Sequence, residues 1–85
     1  METRVALMSI LVEESEGHPS DSVRQMNDLL HEYGQYIIGR MGIPYHAKHV
    51  SIISIAMDAP QDAISALSGK IGRLQGVTVK TTYTK

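Results

Sequence analysis

The chain lacks cysteine altogether, which excludes disulfide bonds, thiolate metal sites and thiol catalysis. It also lacks an excess of positive charge, since eight lysines and arginines stand against nine acidic residues. A DNA-binding domain that works alone normally carries a basic face. We therefore expect no direct contact with nucleic acid.

Long hydrophobic runs are absent as well. The apolar run over residues 5–12 contains Ser9 and is followed by Glu13 and Glu14, whereas a membrane-spanning helix needs about 20 apolar residues. The run also lacks the cleavage pattern of a signal peptide. We therefore predict a cytoplasmic protein without membrane contact.

Catalytic motifs are also missing. The sequence contains no nucleophile elbow and no pair of acid/base carboxylates in an apolar setting. Asp58 and Asp62 fit the start of a helix, where the helix dipole stabilises a carboxylate. We therefore predict a protein that is not an enzyme, and the residues indicate no cofactor.

The residues that are present indicate one small domain. The 85 residues, 42% of them hydrophobic, predict a single domain over residues 1–85. We expect Gly34 to end the first helix in a left-handed conformation, residues 42–48 to form a turn, and Asp58 to cap the second helix together with Gln61. The predicted strands cover residues 5–12, 35–41, 49–58 and 77–83, and the predicted helices begin at Ser20 or Asp21 and after Asp58.

The element order β-α-β-β-α-β with short connections predicts the α+β class and a ferredoxin-like sandwich. Its antiparallel sheet has strand order 4-1-3-2, and both helices cover one face. Strands one and three are then central, which agrees with the apolar residues on both of their faces. The uncovered sheet face keeps several aliphatic side chains from strands one and three. We therefore predict a homo-oligomer, a dimer or a tetramer, that forms through this open face and the second, edge strand.

Residues 36–45 read Tyr-Ile-Ile-Gly-Arg-Met-Gly-Ile-Pro-Tyr, with an arginine between two glycines inside an apolar run. Together with residues 50–54 and 64–77, this stretch closely resembles the small regulators of the iron-only hydrogenase system, and the resemblance covers nearly the whole chain. It implies an ACT-like fold, similar also to the carboxy-terminal domain of nickel-responsive regulators, and an oligomeric regulatory or ligand-sensing module. Since the first strand begins by about Arg4, we expect no DNA-binding segment before it.

The first candidate ligand-binding residues are Gly39, Arg40 and Gly42. The arginine offers a forked donor to a carboxylate or phosphate, and the glycines allow a ligand to approach the backbone. In the alternative interpretation, Gly39 marks a bulge, Gly42 occupies a turn, and Arg40 pairs with a glutamate of a neighbouring subunit.

The loop over residues 15–18 is a second candidate. ACT-like domains commonly hold amino-acid effectors at this place, near a subunit interface, so the resemblance implies that Gly17 and His18 are ligand-binding. A plain solvated connection is the alternative, and Glu16 in the loop would repel an anion.

Histidines raise the question of a metal. In the family the turn after Tyr45 is typically charged and ends in glycine, whereas this chain has His46-Ala47-Lys48-His49. His46 and His49 are three residues apart, which is loose ligand spacing without cysteine. We expect solvated histidines here and no metal, with His46 and His49 as the candidates if a metal does bind.

Two functions remain open from the sequence. One is a regulatory, effector-sensing module of the iron-only hydrogenase system, which binds a small anionic metabolite at subunit boundaries. The other is a non-catalytic assembly or adaptor protein for hydrogenase maturation, which binds no small molecule. Either could act on a hydrogenase-maturation or regulatory protein.

Overall fold

The computed structural model describes residues 2–14 and 21–84. Within them, two helices cover one face of a four-stranded antiparallel sheet. The sheet order is β2-β3-β1-β4, which confirms the predicted ferredoxin-like topology. The elements are β1 (Arg4–Glu13), α1 (Asp21–Glu32), β2 (Ile37–Tyr45), β3 (Val50–Ala59), α2 (Gln61–Gly72) and β4 (Val77–Tyr83), with short 3₁₀ turns at Gly34–Tyr36 and His46–Lys48.

The core lies between the helices and one face of the two central strands. Side chains alternate between the two faces of a strand, and in β1 every second residue is buried. Burial of these side chains and of the apolar stripes of both helices is the main stabilising contribution. The buried apolar residues are Ala6, Met8, Ile10, Val12, Met26, Leu30, Ile53, Ile55, Met57, Ala59, Ile64, Leu67 and Ile71.

Polar contacts connect each helix to the segment that follows the other helix. The buried Ser22 hydroxyl donates a 2.6 Å hydrogen bond to the backbone oxygen of Gln75, which ties the start of α1 to the turn after α2. Lys70 on α2 donates to the Tyr33 hydroxyl at 2.9 Å, just beyond the end of α1. This hydrogen bond raises the pKa of Lys70.

The second strand is longer than predicted, and this corrects the proposed turn at residues 42–48. Gly42 and Pro44 lie within β2 and pair with Ile53 and Ser51 of β3. Proline lacks an N–H donor, so it fits only where that donor is not needed by a neighbouring strand. Because β2 is an edge strand, Pro44 can be accommodated without loss of the sheet.

Two predicted helix ends were also wrong. Gly34 does not take a left-handed conformation, because the chain continues into a 3₁₀ turn there. Asp58 does not cap α2: it belongs to β3 and pairs with Val5 of β1. The helix starts after Pro60, whose backbone is extended, with φ −60° and ψ 150°.

Candidate functional site

The sheet face without helices, which we call the open face, is the most unusual surface of the described structure. Its large apolar side chains are between 37% and 54% exposed. Scattered exposed apolar residues are normal, but a contiguous apolar patch indicates a binding surface. These side chains are Val5, Leu7, Leu11, Met41, Ile43, Tyr45 and Ile52.

The strand register arranges the middle of the open face in three cross-strand rows that differ in size. Val5 and Asp58 lie beyond them at one end, and Tyr45, Val50 and Glu13 lie beyond them at the other. The small row contains Gly39, Ala56, Leu7 and Thr82. The serine row contains Met41, Ser54, Ser9 and Lys80. The bulky row contains Ile43, Ile52, Leu11 and Thr78.

Two surface cavities adjoin the small row. One, of about 320 Å³, is lined by Leu7, Gly39, Arg40, Met41, Ser54 and Ala56. The other, of about 350 Å³, is lined by Val5, Ala6, Leu7, Ala56, Thr82, Tyr83 and Thr84. The open face is therefore low along the small row and high along the bulky row.

Arg40 lies on the other side of the sheet. It pairs with Ile55, whose side chain is buried beneath the helices, and its guanidinium donates a 3.1 Å hydrogen bond to the Asn27 side chain on α1. Arg40 forms no ion pair with a carboxylate of residues 2–14 or 21–84. The ion pair found among these residues joins Arg24 to Asp21. The charge of Arg40 is exposed at the outer edge of β2.

The structure separates the two glycines from each other. Gly39 belongs to the open face, whereas Gly42 pairs with the buried Ile53 on the helix side. A β-bulge lies between Ile37 and Gly39, where the register with β3 shifts. A Cβ atom added at Gly39 or Gly42 would meet nothing within 4 Å, so contacts within the subunit do not explain either glycine.

Gly17 and His18, the other predicted ligand-binding residues, lie outside the described residues. The adjoining chain is described on both sides. Glu14 donates a 2.8 Å backbone hydrogen bond to the carbonyl of His49, and α1 begins at Asp21. Glu14, the last described residue before this segment, therefore lies beside the turn that connects β2 to β3.

His46 and His49 occupy that turn, and both are exposed. The described part of the chain contains no group of three or more residues that could hold a metal ion. His49 has φ 53° and ψ 45°, a left-handed conformation that favours glycine.

A further cavity, of about 430 Å³, lies between the end of α1 and the start of α2. Of its lining residues, Tyr33 and Tyr36 on either side of Gly34 are the sequence feature that could have indicated it. Its lining residues are Glu32, Tyr33, Gln35, Tyr36, Pro60, Asp62, Ala63 and Ala66.

The described helices include none long and apolar enough to cross a membrane.

The fold is that of the ACT class of α+β domains. The chain is similar to the ACT domain from GTP pyrophosphokinase of Chlorobium tepidum, at 17% identity over 94% of this chain and 99% of that one, with a TM-score of 0.75. It is also similar to a formyltetrahydrofolate deformylase from Pseudomonas putida KT2440, at 13% identity over 92% of this chain and 28% of that one, with a TM-score of 0.61.

Sequence similarity narrows this class to a family. Residues 4–81 match the TM1266-like family, described as "Iron-only hydrogenase system regulator, putative". The solved structure of the uncharacterized protein TM1266 from Thermotoga maritima is 38% identical, covers 99% of this chain and 100% of its own, and has a TM-score of 0.89. The chain belongs to this family of iron-only hydrogenase system regulators. No match was found among curated proteins.

Proposed function

We propose that the protein is a regulatory module that assembles with itself through the open face and senses a small anionic ligand near Arg40. Its family and its ACT-like fold support a regulatory role. The observation that carries the proposal is the apolar open face, whose large side chains remain about half exposed in a single subunit. A regulatory domain that works as an oligomer needs such a surface.

The energy available from the open face is large enough for assembly. Covering only ~200–300 Å² of apolar surface, at ~25 cal/mol per Å², contributes ~5–8 kcal/mol per subunit before the costs of association. The chain has only 85 residues and hence a thin core, so self-assembly would also add stability. A homodimer, or a tetramer that also uses the β2 edge, fits these requirements.

Arg40 is the described residue best suited to recognise the ligand. A guanidinium has five N–H donors in a planar fork that matches a carboxylate or phosphate. One of them donates to Asn27, and none meets a described carboxylate. Because Arg40 lies on the edge strand β2 and faces the helices, a bound anion would be close to a subunit boundary that includes the β2 edge. The loop with Gly17 and His18 remains a candidate for the rest of the site.

We predict that Arg40→Ala weakens the binding of small carboxylate metabolites about 10- to 100-fold, since hydrogen bonds to a charged group contribute ~1.5–3 kcal/mol. Thermal unfolding across a panel of such metabolites measures this. A ligand at 100 times its dissociation constant stabilises by ~2.7 kcal/mol, or roughly 10 °C or more in a domain of this size.

Arg24→Ala is the matched control for this experiment. Arg24 is also an exposed arginine on the helix side, but it already lies 3.7 Å from Asp21. Wild type and Arg24→Ala should show equal shifts with the ligand, and the shift of Arg40→Ala should be smaller by about half or more. Equal shifts in all three proteins would contradict the role of Arg40.

The regulatory module has no catalytic activity in this proposal, acts in the cytoplasm, and passes its signal to a protein partner, such as a hydrogenase-maturation or regulatory protein. If no metabolite shifts unfolding while a maturation factor co-purifies with the wild-type protein, the adaptor function replaces the ligand-sensing one. The apolar open face favours a protein surface over a small ligand as its own occupant.

A further inference from the structure

We propose that two copies pack face to face with the bulky row of each copy seated on the small row of the other. The two-fold axis then runs across the strands, over the serine row. This inference rests on self-assembly through the open face and specifies how the two copies meet, which the proposed function leaves open.

The sizes of the rows carry the inference. Beside Leu7, the small row presents Gly39, which has no side chain, and Ala56, and cavities of about 320 Å³ and 350 Å³ adjoin it. The bulky row presents three large aliphatic side chains, Ile43, Ile52 and Leu11, each 37–47% exposed. A protein interface reaches interior packing density only where such heights and depths match.

Two-fold symmetry decides which rows can meet. In an isologous interface, if residue i contacts residue j of the partner, then j contacts i. An axis across the strands, over the serine row, reverses the strand direction and keeps the strand order. Ile43 of one copy then lies over Gly39 of the other, and Ile52 lies over Ala56. Leu11 lies over Leu7, so on β1 two large exposed side chains meet.

The other simple two-fold axis runs along the strands and pairs each row with itself. Bulky residues would then face the β4 threonines or other bulky residues, and the cavities beside Gly39 would stay empty. Voids in an interface lose dispersion contacts without replacement. The axis across the strands does place Lys80 opposite the partner's Lys80, but β4 is an edge strand, where water screens a like-charge pair.

The area of the open face is adequate for a stable pair. Four strands of 10, 9, 10 and 7 residues, spaced ~4.8 Å apart with ~3.4 Å per residue, give a face of roughly 590 Å². A typical stable interface buries about 800 Å² per partner. The open face together with its margin approaches that value, so a second copy of this chain is an occupant of the right size.

The self-complementarity of the rows can be tested by exchanging a large and a small residue. Gly39→Leu fills the cavity that receives Ile43, and we expect the dimer dissociation constant to rise about 100-fold or more, because the overpacking occurs at both symmetric contacts. Gly42→Leu is the matched control, since it makes the same change in the same strand on the helix side, and it should leave the dissociation constant within about threefold of wild type.

The double variant Gly39→Leu/Ile43→Ala restores the match with large and small positions exchanged. Its dimer dissociation constant should be at least about tenfold lower than that of Gly39→Leu, as expected for coupled neighbours. Sedimentation equilibrium measures all four proteins. If the double variant is no tighter than Gly39→Leu, the pairing of Ile43 with Gly39 is wrong, whereas a monomeric wild type would overturn self-assembly itself.

Cross-linking gives an independent test of the axis, because the native chain has no cysteine. Met41→Cys and Lys80→Cys lie at opposite ends of the serine row. We expect a short bismaleimide to join each variant to itself, since the proposed axis places β2 over β2 and β4 over β4. Cross-links that form only in a mixture of the two variants, with the dimer retained, would overturn the axis while leaving the proposed function intact.

Discussion

Gly76→Ala is expected to lower the free energy of unfolding by about 2–4 kcal/mol. Gly76 forms the turn between α2 and β4 with φ 74°, a left-handed conformation that costs other residues ~1–2 kcal/mol. A Cβ atom there would also lie 2.7 Å from the carbonyl oxygen of Glu13. The obstacle is backbone, and Glu13 is further held by a 2.8 Å hydrogen bond from its N–H to the Gly76 carbonyl, so the strain cannot be relieved by a rotamer change.

Urea denaturation at one fixed protein concentration measures this effect, since the stability of an oligomer depends on concentration. Gly69→Ala is the control. Gly69 lies inside α2, and an added Cβ atom meets nothing within 4 Å. Alanine there should raise the free energy of unfolding by up to ~1 kcal/mol, because glycine disfavours the helix by that amount. Equal effects of the two substitutions would show that the Gly76 turn is not constrained as described.

Leu11→Lys is expected to abolish self-association, with the dissociation constant raised about 1,000-fold or more. Leu11 belongs to the bulky row of the open face and is 47% exposed in one subunit. In a face-to-face dimer the substitution would place two uncompensated lysine charges in the interface, each at a cost of several kcal/mol. Within one subunit, by contrast, the lysine can extend into water.

The control for Leu11→Lys is Gln25→Lys, which adds the same charge at an exposed position of α1 on the opposite side of the sheet. Sedimentation velocity of the two variants and of wild type, with far-ultraviolet circular dichroism to confirm folding, gives the comparison. A folded Leu11→Lys protein that sediments like wild type would place the assembly surface elsewhere. If only Gln25→Lys sediments differently from wild type, the assembly surface includes the helical layer.

The topology could be predicted because β1 and β3 carry apolar residues on both faces. One face is needed for the core, so the surplus on the other face required these two strands to be central and their second face to be apolar and open. The register confirms this, with Met8 and Ile55 buried and Leu7 and Ile52 exposed on the opposite face. The last strand, Val77–Tyr83, was also predicted with the observed bounds, because its alternation is typical of a half-exposed strand.

The path of the edge strand could not be predicted from local signals. Gly42 and Pro44 usually interrupt strands, yet both lie in β2, where the missing N–H of Pro44 costs little because one side of the strand has no partner. Asp58 was similarly a good helix cap in isolation. Pairing with Val5 keeps it in β3 instead, so a tertiary contact overrides the capping preference.

Local signals also could not predict on which face of the sheet each residue of the candidate site lies. Gly39, Arg40 and Gly42 are close in sequence, which favours a single site. Because side chains alternate along a strand, Gly39 faces the open surface while Arg40 and Gly42 face the helices. The bulge before Gly39 determines which of them faces which side, and its position depends on the pairing with β3 and not on β2 alone.

The mass of the wild-type protein in solution is the most direct test of the whole account. Sedimentation equilibrium or native mass spectrometry should be performed on tag-free protein at about 10 μM, a concentration at which an interface of ~8 kcal/mol or more would be largely populated. We predict a species of two or four times the 9.4 kDa chain mass. A single species of 9.4 kDa at that concentration would contradict assembly through the open face.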